Sequence, residues 1–276
     1  MNAQDLQRIR ASEGWQRLRV ERLRGTSAGD VVVKGAQRAG GWGRWLLLWA
    51  VAALAGLKPL RSAPPRSAAR TQAHEIERLR SLAQAGIAVP AVLHVEPGFF
   101  VMRHCEGQRL DQLLAAADER ALQWWQRGLE MLLAVHLAGQ YLGQAFARNF
   151  IGQGDRLVAL DFEDDPLAAM SLPQAQARDW MAYLHSSARA LRALPPALRD
   201  TLPGRLRAVL AQESAAVRAE LARAARRLAF VQRLDAGDGR GWRRHIAIAQ
   251  AAVQLAGTAT DTRGREAASP NYRPEA

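Results

Sequence analysis

Asn149 and Asp161 stand twelve residues apart, the first in a loop that carries Gly143, the second at the end of a short apolar run, Leu157–Leu160. Oxygen-bearing side chains placed in this way face each other across a β-hairpin and can share a divalent cation, a geometry that phosphoryl-transfer sites use. Five residues before Asn149 stands Gln144. Its amide can orient a hydroxyl, but it cannot accept a proton at neutral pH. Lys34 closes the β-branched run Val31-Val32-Val33, and Lys58 is the only other lysine in a chain with 38 Lys and Arg residues. A compact ammonium fits between two phosphates where a planar guanidinium does not, so Lys34 is a candidate phosphate ligand; the plain alternative is a charge at a strand end. Asp161 also opens an acidic run with Glu163, Asp164 and Asp165, read either as a solvated turn or as the source of a second cation ligand.

The elements that must position these residues follow from periodicity. Trp15–Arg24 alternates apolar and charged residues and reads as an exposed strand, Gly25–Asp30 as a turn, and Val31–Lys34 as the next strand. Thr71–Ala85 reads as a helix, with Thr71 as N-cap and Gly86 as its stop. Ala91–Val95 and Phe99–His104 are strands joined by Glu96-Pro97-Gly98, which completes a small antiparallel sheet of about four or five strands. Leu110–Ala117 and Glu119–Ala138 are helices. In the second, Leu122, Trp125, Leu129, Leu132 and Leu133 recur at helical spacing and His136 continues the row. His136 is thus either a satisfied core histidine or a brace for the loop carrying Gln144 and Asn149. Helices are also expected over Ser171–Leu194, within Leu202–Leu234 and over Trp242–Leu255, with a disordered tail after Gly257.

One stretch stands apart. Trp45–Leu57 runs without a charged or strongly polar side chain and is closed by Lys58-Pro59. It is short of the roughly 20 residues that span a bilayer. Trp42, Trp45 and Trp49 cluster beside Arg44 as interfacial anchors do. The segment reads as a buried helix on the N-terminal part or as an in-plane or re-entrant membrane anchor. The 49% hydrophobic content argues against a disordered chain, and the net charge of +12 points towards an anionic surface, unless arginine merely reflects a GC-rich coding sequence. No aromatic-and-basic motif or zinc spacing favours nucleic acid, so acidic lipid is the better partner. Cys105 is the only cysteine, which rules out an intrachain disulfide and fits a reducing cytoplasm; Met1–Arg24 is charged and does not read as a signal peptide.

Taken in order, Lys34, Glu75, Asn149 and Asp161 resemble the conserved positions of the protein-kinase-like superfamily. With His136-Leu-Ala-Gly, the chain looks most like the bacterial lipopolysaccharide-core heptose/Kdo kinases and their aminoglycoside-phosphotransferase-type relatives. The resemblance implies an α+β, two-lobed fold: a small antiparallel β N-lobe over residues 12–104 with the apolar insert 42–58, a helical C-lobe over 105–257, and a tail over 258–276. It implies ATP and Mg2+ as cofactors. Lys34 would contact the α/β-phosphates and pair with Glu75, or failing that Glu77; Asn149 and Asp161 would hold the metal. Phe100–Gly107 would be the hinge, placing Met102 and His104 beside the adenine. The catalytic aspartate of the family is replaced by Gln144, its usual histidine by Leu142, and the glycine after Asp161-Phe162 by Glu163. Three functions are therefore weighed: a phosphotransferase acting on a sugar or lipid-linked envelope acceptor at the inner face of the cytoplasmic membrane, a nucleotide-binding pseudokinase with a regulatory or scaffolding role, and a basic membrane-surface protein without nucleotide.

Overall fold

The structure is a computed structural model that describes residues 1–36, 66–235 and 243–260. The Trp45–Leu57 segment and the tail beyond 260 lie outside the described residues.

The N-terminal half is built on a four-stranded antiparallel sheet. Its strands are β1 (Val20–Thr26), β2 (Gly29–Gly35), β3 (Val92–Glu96) and β4 (Phe99–Arg103), in the order β1-β2-β4-β3. Strand alternation decides what each face does. Val31 and Val33 point to one face and pack with Leu23, Phe99 and Val101 beneath Ile9 of helix α1 (Ala3–Ala11). Val32 and Lys34 point to the other, towards helix α3 (Ala68–Gln84), whose Ile76, Leu79 and Leu82 join Phe100 in the main core. Gln72 fixes α3 to the β3–β4 turn by donating to Glu96 O at 2.8 Å and Phe99 O at 2.9 Å.

Two local expectations are corrected. Trp15–Arg24 is not one strand: helix α2 (Glu13–Leu18) comes first and β1 begins at Val20. Ser12 caps α2 through Gly14 N, Glu21 accepts from Ser12 Oγ and Trp15 N, and Trp15 donates its indole N–H to Ile9 O at 2.7 Å. These tertiary contacts settle a segment whose alternation is too short to distinguish a strand from one helical turn. Helix α3 likewise starts one turn earlier than Thr71, because Ser67 takes the cap by accepting from Arg70 N.

Beyond β4 the chain is mainly helical. After the two-residue β5 (Gln108–Arg109) come α4 (Leu110–Leu114) and α5 (Glu119–Leu137), then a loop and the hairpin β6 (Phe150–Gln153) and β7 (Arg156–Ala159). The long helix α6 (Leu172–Arg192) packs Trp180, Tyr183, Leu184 and Leu191 into the core shared with Trp125, Leu129 and Leu132 of α5. Short α7 (Pro196–Arg199) leads to α8 (Leu202–Leu210), α9 (Ala215–Leu228) and α10 (Arg243–Thr260), which complete the helical part against α6. The last helix runs three residues past Gly257, the point from which the sequence lacks apolar periodicity. A small antiparallel β region followed by a helical region is the α+β arrangement expected.

Candidate nucleotide and phosphoryl-transfer site

Three elements converge on one cluster. Lys34 comes from β2, Glu75 from the buried face of α3, and Asp161 and Glu163 from the chain leaving β7. The Lys34 ammonium lies 2.6 Å from Glu75 Oε1, 2.6 Å from Glu163 Oε1 and 3.3 Å from Asp161 Oδ1. Arg19, the residue before β1, pairs with the same Glu163 oxygen. Burial alone would push the Lys34 ammonium down, but the charges of Glu75, Asp161 and Glu163 outweigh it and hold it above its ordinary value. Glu75 goes the other way. Its burial exceeds the pull of Lys34 and raises the carboxyl above the usual range. Glu163 is also pushed up by burial, yet Lys34 and Arg19 together bring it below the usual range. The cluster thus sets three carboxylates against two cations, with one negative charge in excess.

Oxygen donors with excess negative charge suit a hard divalent cation. The carboxylates of Glu75, Asp161 and Glu163 offer ligand atoms within 4.8 Å of one another. Asn149 is buried, and Leu160 N donates to Asn149 O at 2.8 Å, so the loop and the approach to Asp161 lie side by side. The Asn149 amide nitrogen donates to Gln144 O at 3.0 Å, which orients the side chain so that its oxygen is the atom left for a metal. Asp161 itself holds a left-handed backbone, φ 65°, tolerated by aspartate better than by most residues and a form of strain that clusters at functional sites.

The loop from Gly139 to Asn149 is held from behind. Asp179 on α6 accepts from Leu142 N at 2.7 Å and Gly143 N at 2.8 Å. Gly143 has φ 81°, where glycine is favoured, and a Cβ there would also press on Asp164 O at 3.1 Å. Behind Asp179 sits His136, fully buried, with Nε2 3.6 Å from Asp179 Oδ2 and Nδ1 2.7 Å from Glu213 Oε2. His136 is therefore a brace as well as a buried group. Asp179 and Glu213 escaped the sequence reading. The available signal for Asp179 was a carboxylate on the apolar stripe of α6, four residues from both Ala175 and Tyr183; Glu213 gave none.

The acidic run is not a solvated turn. Glu163 pairs with Lys34 and Arg19, Asp164 with Arg178 at 2.5 Å, and Asp165 with Arg66. Met102 packs on the main core and pairs across the sheet with Val32, on the Lys34 side of β2. The His104 backbone N–H is engaged by Asp30 O at 3.0 Å, so an adenine edge would have to meet neighbouring amides. Cys105 is half-buried, and burial pushes its thiol up, which suits a packing residue better than a nucleophile. An apolar cavity of about 340 Å³ opens where Phe146, two residues past Gln144, meets Met181, Leu184, Leu221 and Val253.

No protein-family model matches the sequence, and no curated protein does. Among solved structures, the chain overlaps the ADP-bound aminoglycoside phosphotransferase APH(2'')-Ib with 13% identity, 94% of this chain, 99% of that one and a TM-score of 0.30. It overlaps the streptomycin–ATP–APH(2'')-IIa ternary complex with 12% identity, 82% and 96% coverage and a TM-score of 0.28. For the gentamicin–APH(2'')-IIa complex the values are 13%, 94%, 98% and 0.29. Overlap this slight carries no weight for function, which rests on the site geometry.

Proposed function

We propose that the protein is an ATP-dependent, kinase-like phosphotransferase that phosphorylates a hydroxyl of a sugar or lipid-linked envelope acceptor, such as lipopolysaccharide core. The observation that carries this reading is Lys34 held between Glu75 and Asp161, because that pairing aims an ammonium at the place where a strand, a helix and a metal-ligand loop meet. A divalent cation such as Mg2+, held by Asp161 and Asn149, would neutralise charge on the phosphate oxygens. Lys34 binds the α/β-phosphates, Glu75 keeps the ammonium in place, and the Met102–His104 strand end flanks the adenine. Gln144 accepts a hydrogen bond from the acceptor hydroxyl and aligns it. Phosphoryl transfer passes through a loose transition state in which positioning and charge stabilisation do most of the catalysis, so a glutamine can serve where a carboxylate is usual. The apolar cavity beside Phe146 supports an acceptor that carries a lipid chain.

The test is single-turnover transfer from labelled ATP to a cell-envelope extract. Gln144→Ala is expected to slow transfer by at least about 10²-fold with ATP affinity unchanged, the scale of a lost acid/base or orienting group. The second reading is a nucleotide-binding pseudokinase, favoured by Gln144 in the base position and by Glu163 pairing with Lys34. No transfer by wild type together with transfer by Gln144→Asp would establish that reading instead.

We place the protein on the inner face of the cytoplasmic membrane, on the basis of Trp45–Leu57 and the net charge of +12. Among the described residues no helix is long and apolar enough to cross a membrane. Flotation with liposomes is expected to carry the protein upward when anionic lipid is present, and less so without it. A protein that stays at the bottom in both cases has no such affinity.

A further inference from the structure

Among the described residues, no glycine-rich hairpin of the sheet is positioned to cover a nucleotide's phosphates. Register places the β1–β2 turn, Thr26 opposite Gly29, at one end of the hairpin and Val20 opposite Lys34 at the other. Five residue steps of extended chain separate Gly29 from Lys34, about 17 Å at the usual rise. The turn is also occupied elsewhere, because Asp5 of α1 accepts from Ser27 N at 3.0 Å and Ser27 Oγ at 2.5 Å. Gly25–Asp30 is thus the turn that the sequence suggests, at the end of the hairpin away from Lys34.

At the Lys34 end stands Arg19. Its φ of 68° is a conformation that L-residues other than asparagine, aspartate and histidine seldom adopt. It is held there by Gly35 N, which donates to Arg19 O at 2.7 Å, and by its own Nε, which donates to Gly35 O at 3.4 Å. The side chain is partly exposed, whereas that of Lys34 is buried. Both cations converge on a single atom, Glu163 Oε1. Two fixed cations meeting on one anionic oxygen make an anion seat, here filled by a carboxylate of the chain itself.

We propose that Arg19 and Lys34 form a two-cation seat for the polyphosphate of the nucleotide, and that the Glu163 carboxylate fills the seat until phosphate displaces it. This rests on the nucleotide reading above and adds Arg19 as a binding residue and Glu163 as an internal competitor. Arginine is suited to the part, since its planar fork can engage two phosphate oxygens at once. The seat discriminates by charge: ATP and ADP displace Glu163, and adenosine, which brings no anion, does not.

Calorimetric titration of the full chain with ATP and with adenosine tests the proposal. Arg19→Met is expected to weaken ATP binding about tenfold or more, the scale of one charge-assisted contact, and to leave adenosine binding unchanged. Arg19→Lys should recover part of the loss. Glu163→Gln is expected to tighten ATP binding several-fold, and it reads the same seat should Arg19→Met fail to fold. ATP binding equal to wild type in Arg19→Met, or weaker than wild type in Glu163→Gln, overturns the seat while leaving the phosphotransferase reading intact. Absence of ATP binding by the wild type overturns both.

Discussion

His136→Ala is expected to cost about 3–5 kcal/mol of stability, the scale for removing one partner of a buried ion pair. The imidazole has no exposed atoms from which to regain hydration, and it stands between Asp179 and Glu213, which are themselves buried. Trp180 donates its indole N–H to the same Glu213 oxygen at 3.0 Å and sets its ring edge-on to the imidazole at 5.7 Å. Truncating His136 leaves two carboxylates facing each other with no cation between them. The consequence reaches the site, because Asp179 also holds the backbone of Leu142 and Gly143, the two residues just before Gln144. The variant should therefore melt at a lower temperature and, where still folded, transfer phosphate more slowly without a matching loss of ATP affinity.

The same network makes stability depend on pH with a definite sign. Burial pushes the His136 imidazolium down, but the nearby Asp179 carboxylate and the hydrogen bond and charge of Glu213 outweigh it, so its value in the folded protein lies above the ordinary 6.5. A raised value means the folded state holds the proton more tightly. The stabilisation is complete below pH 6.5 and is lost as pH rises through the raised value. Glu213, held below its ordinary 4.5 because His136, the Ser214 amide and Trp180 together outweigh its burial, contributes above that pH and loses its contribution as pH falls further. Thermal melting followed from pH 5 to 9 should show a decline above about pH 6.5 in the wild type. A flatter profile is expected in His136→Gln, which keeps a polar group but cannot carry the charge. An unchanged slope in that variant would remove His136 as its source.

Much of the scaffold was legible because it follows local periodicity. The alternation of Val31, Val32, Val33 and Lys34 gives β2 and sends the lysine to the face opposite Val31 and Val33. The apolar row from Leu122 to Leu133 gives α5 and leads to His136. Local signals fell short where several fit the same stretch. Ser67 and Thr71 are both competent N-caps, and tertiary packing decides between them; Glu13–Leu18 is too short for its period to be read. The pairing of Lys34 with Glu75 was legible only through the ordered resemblance, since 41 residues separate the two. Nothing local announces Glu213, which meets His136 across 77 residues of sequence, or Arg19, whose role depends on a backbone conformation its residue type does not favour. The acidic run could be read in two ways until the positions of Arg19, Arg66 and Arg178 showed that each of Glu163, Asp164 and Asp165 has a cation of its own.

Asp161→Ala is expected to have the largest effect on nucleotide binding. Lys34 would be the more obvious target, but removing it leaves Glu75 buried without its cation and confuses binding with folding. Asp161 is the more exposed partner, about a third accessible, and its loss leaves Lys34 still paired with Glu75 and Glu163. The fold should survive while the carboxylate that would hold a divalent cation is gone. ATP affinity in the presence of Mg2+ should then fall about a hundredfold, the scale of a lost charge-assisted contact at the upper end of its range. Isothermal titration of ATP into wild type and Asp161→Ala, each with millimolar Mg2+ and again with the metal chelated, measures this directly. The expected result is binding by the wild type that depends on Mg2+ and a large loss of that dependence in the variant. No binding by the wild type at millimolar ATP, or equal binding in all four titrations, would contradict a nucleotide site built on Lys34, Asn149 and Asp161.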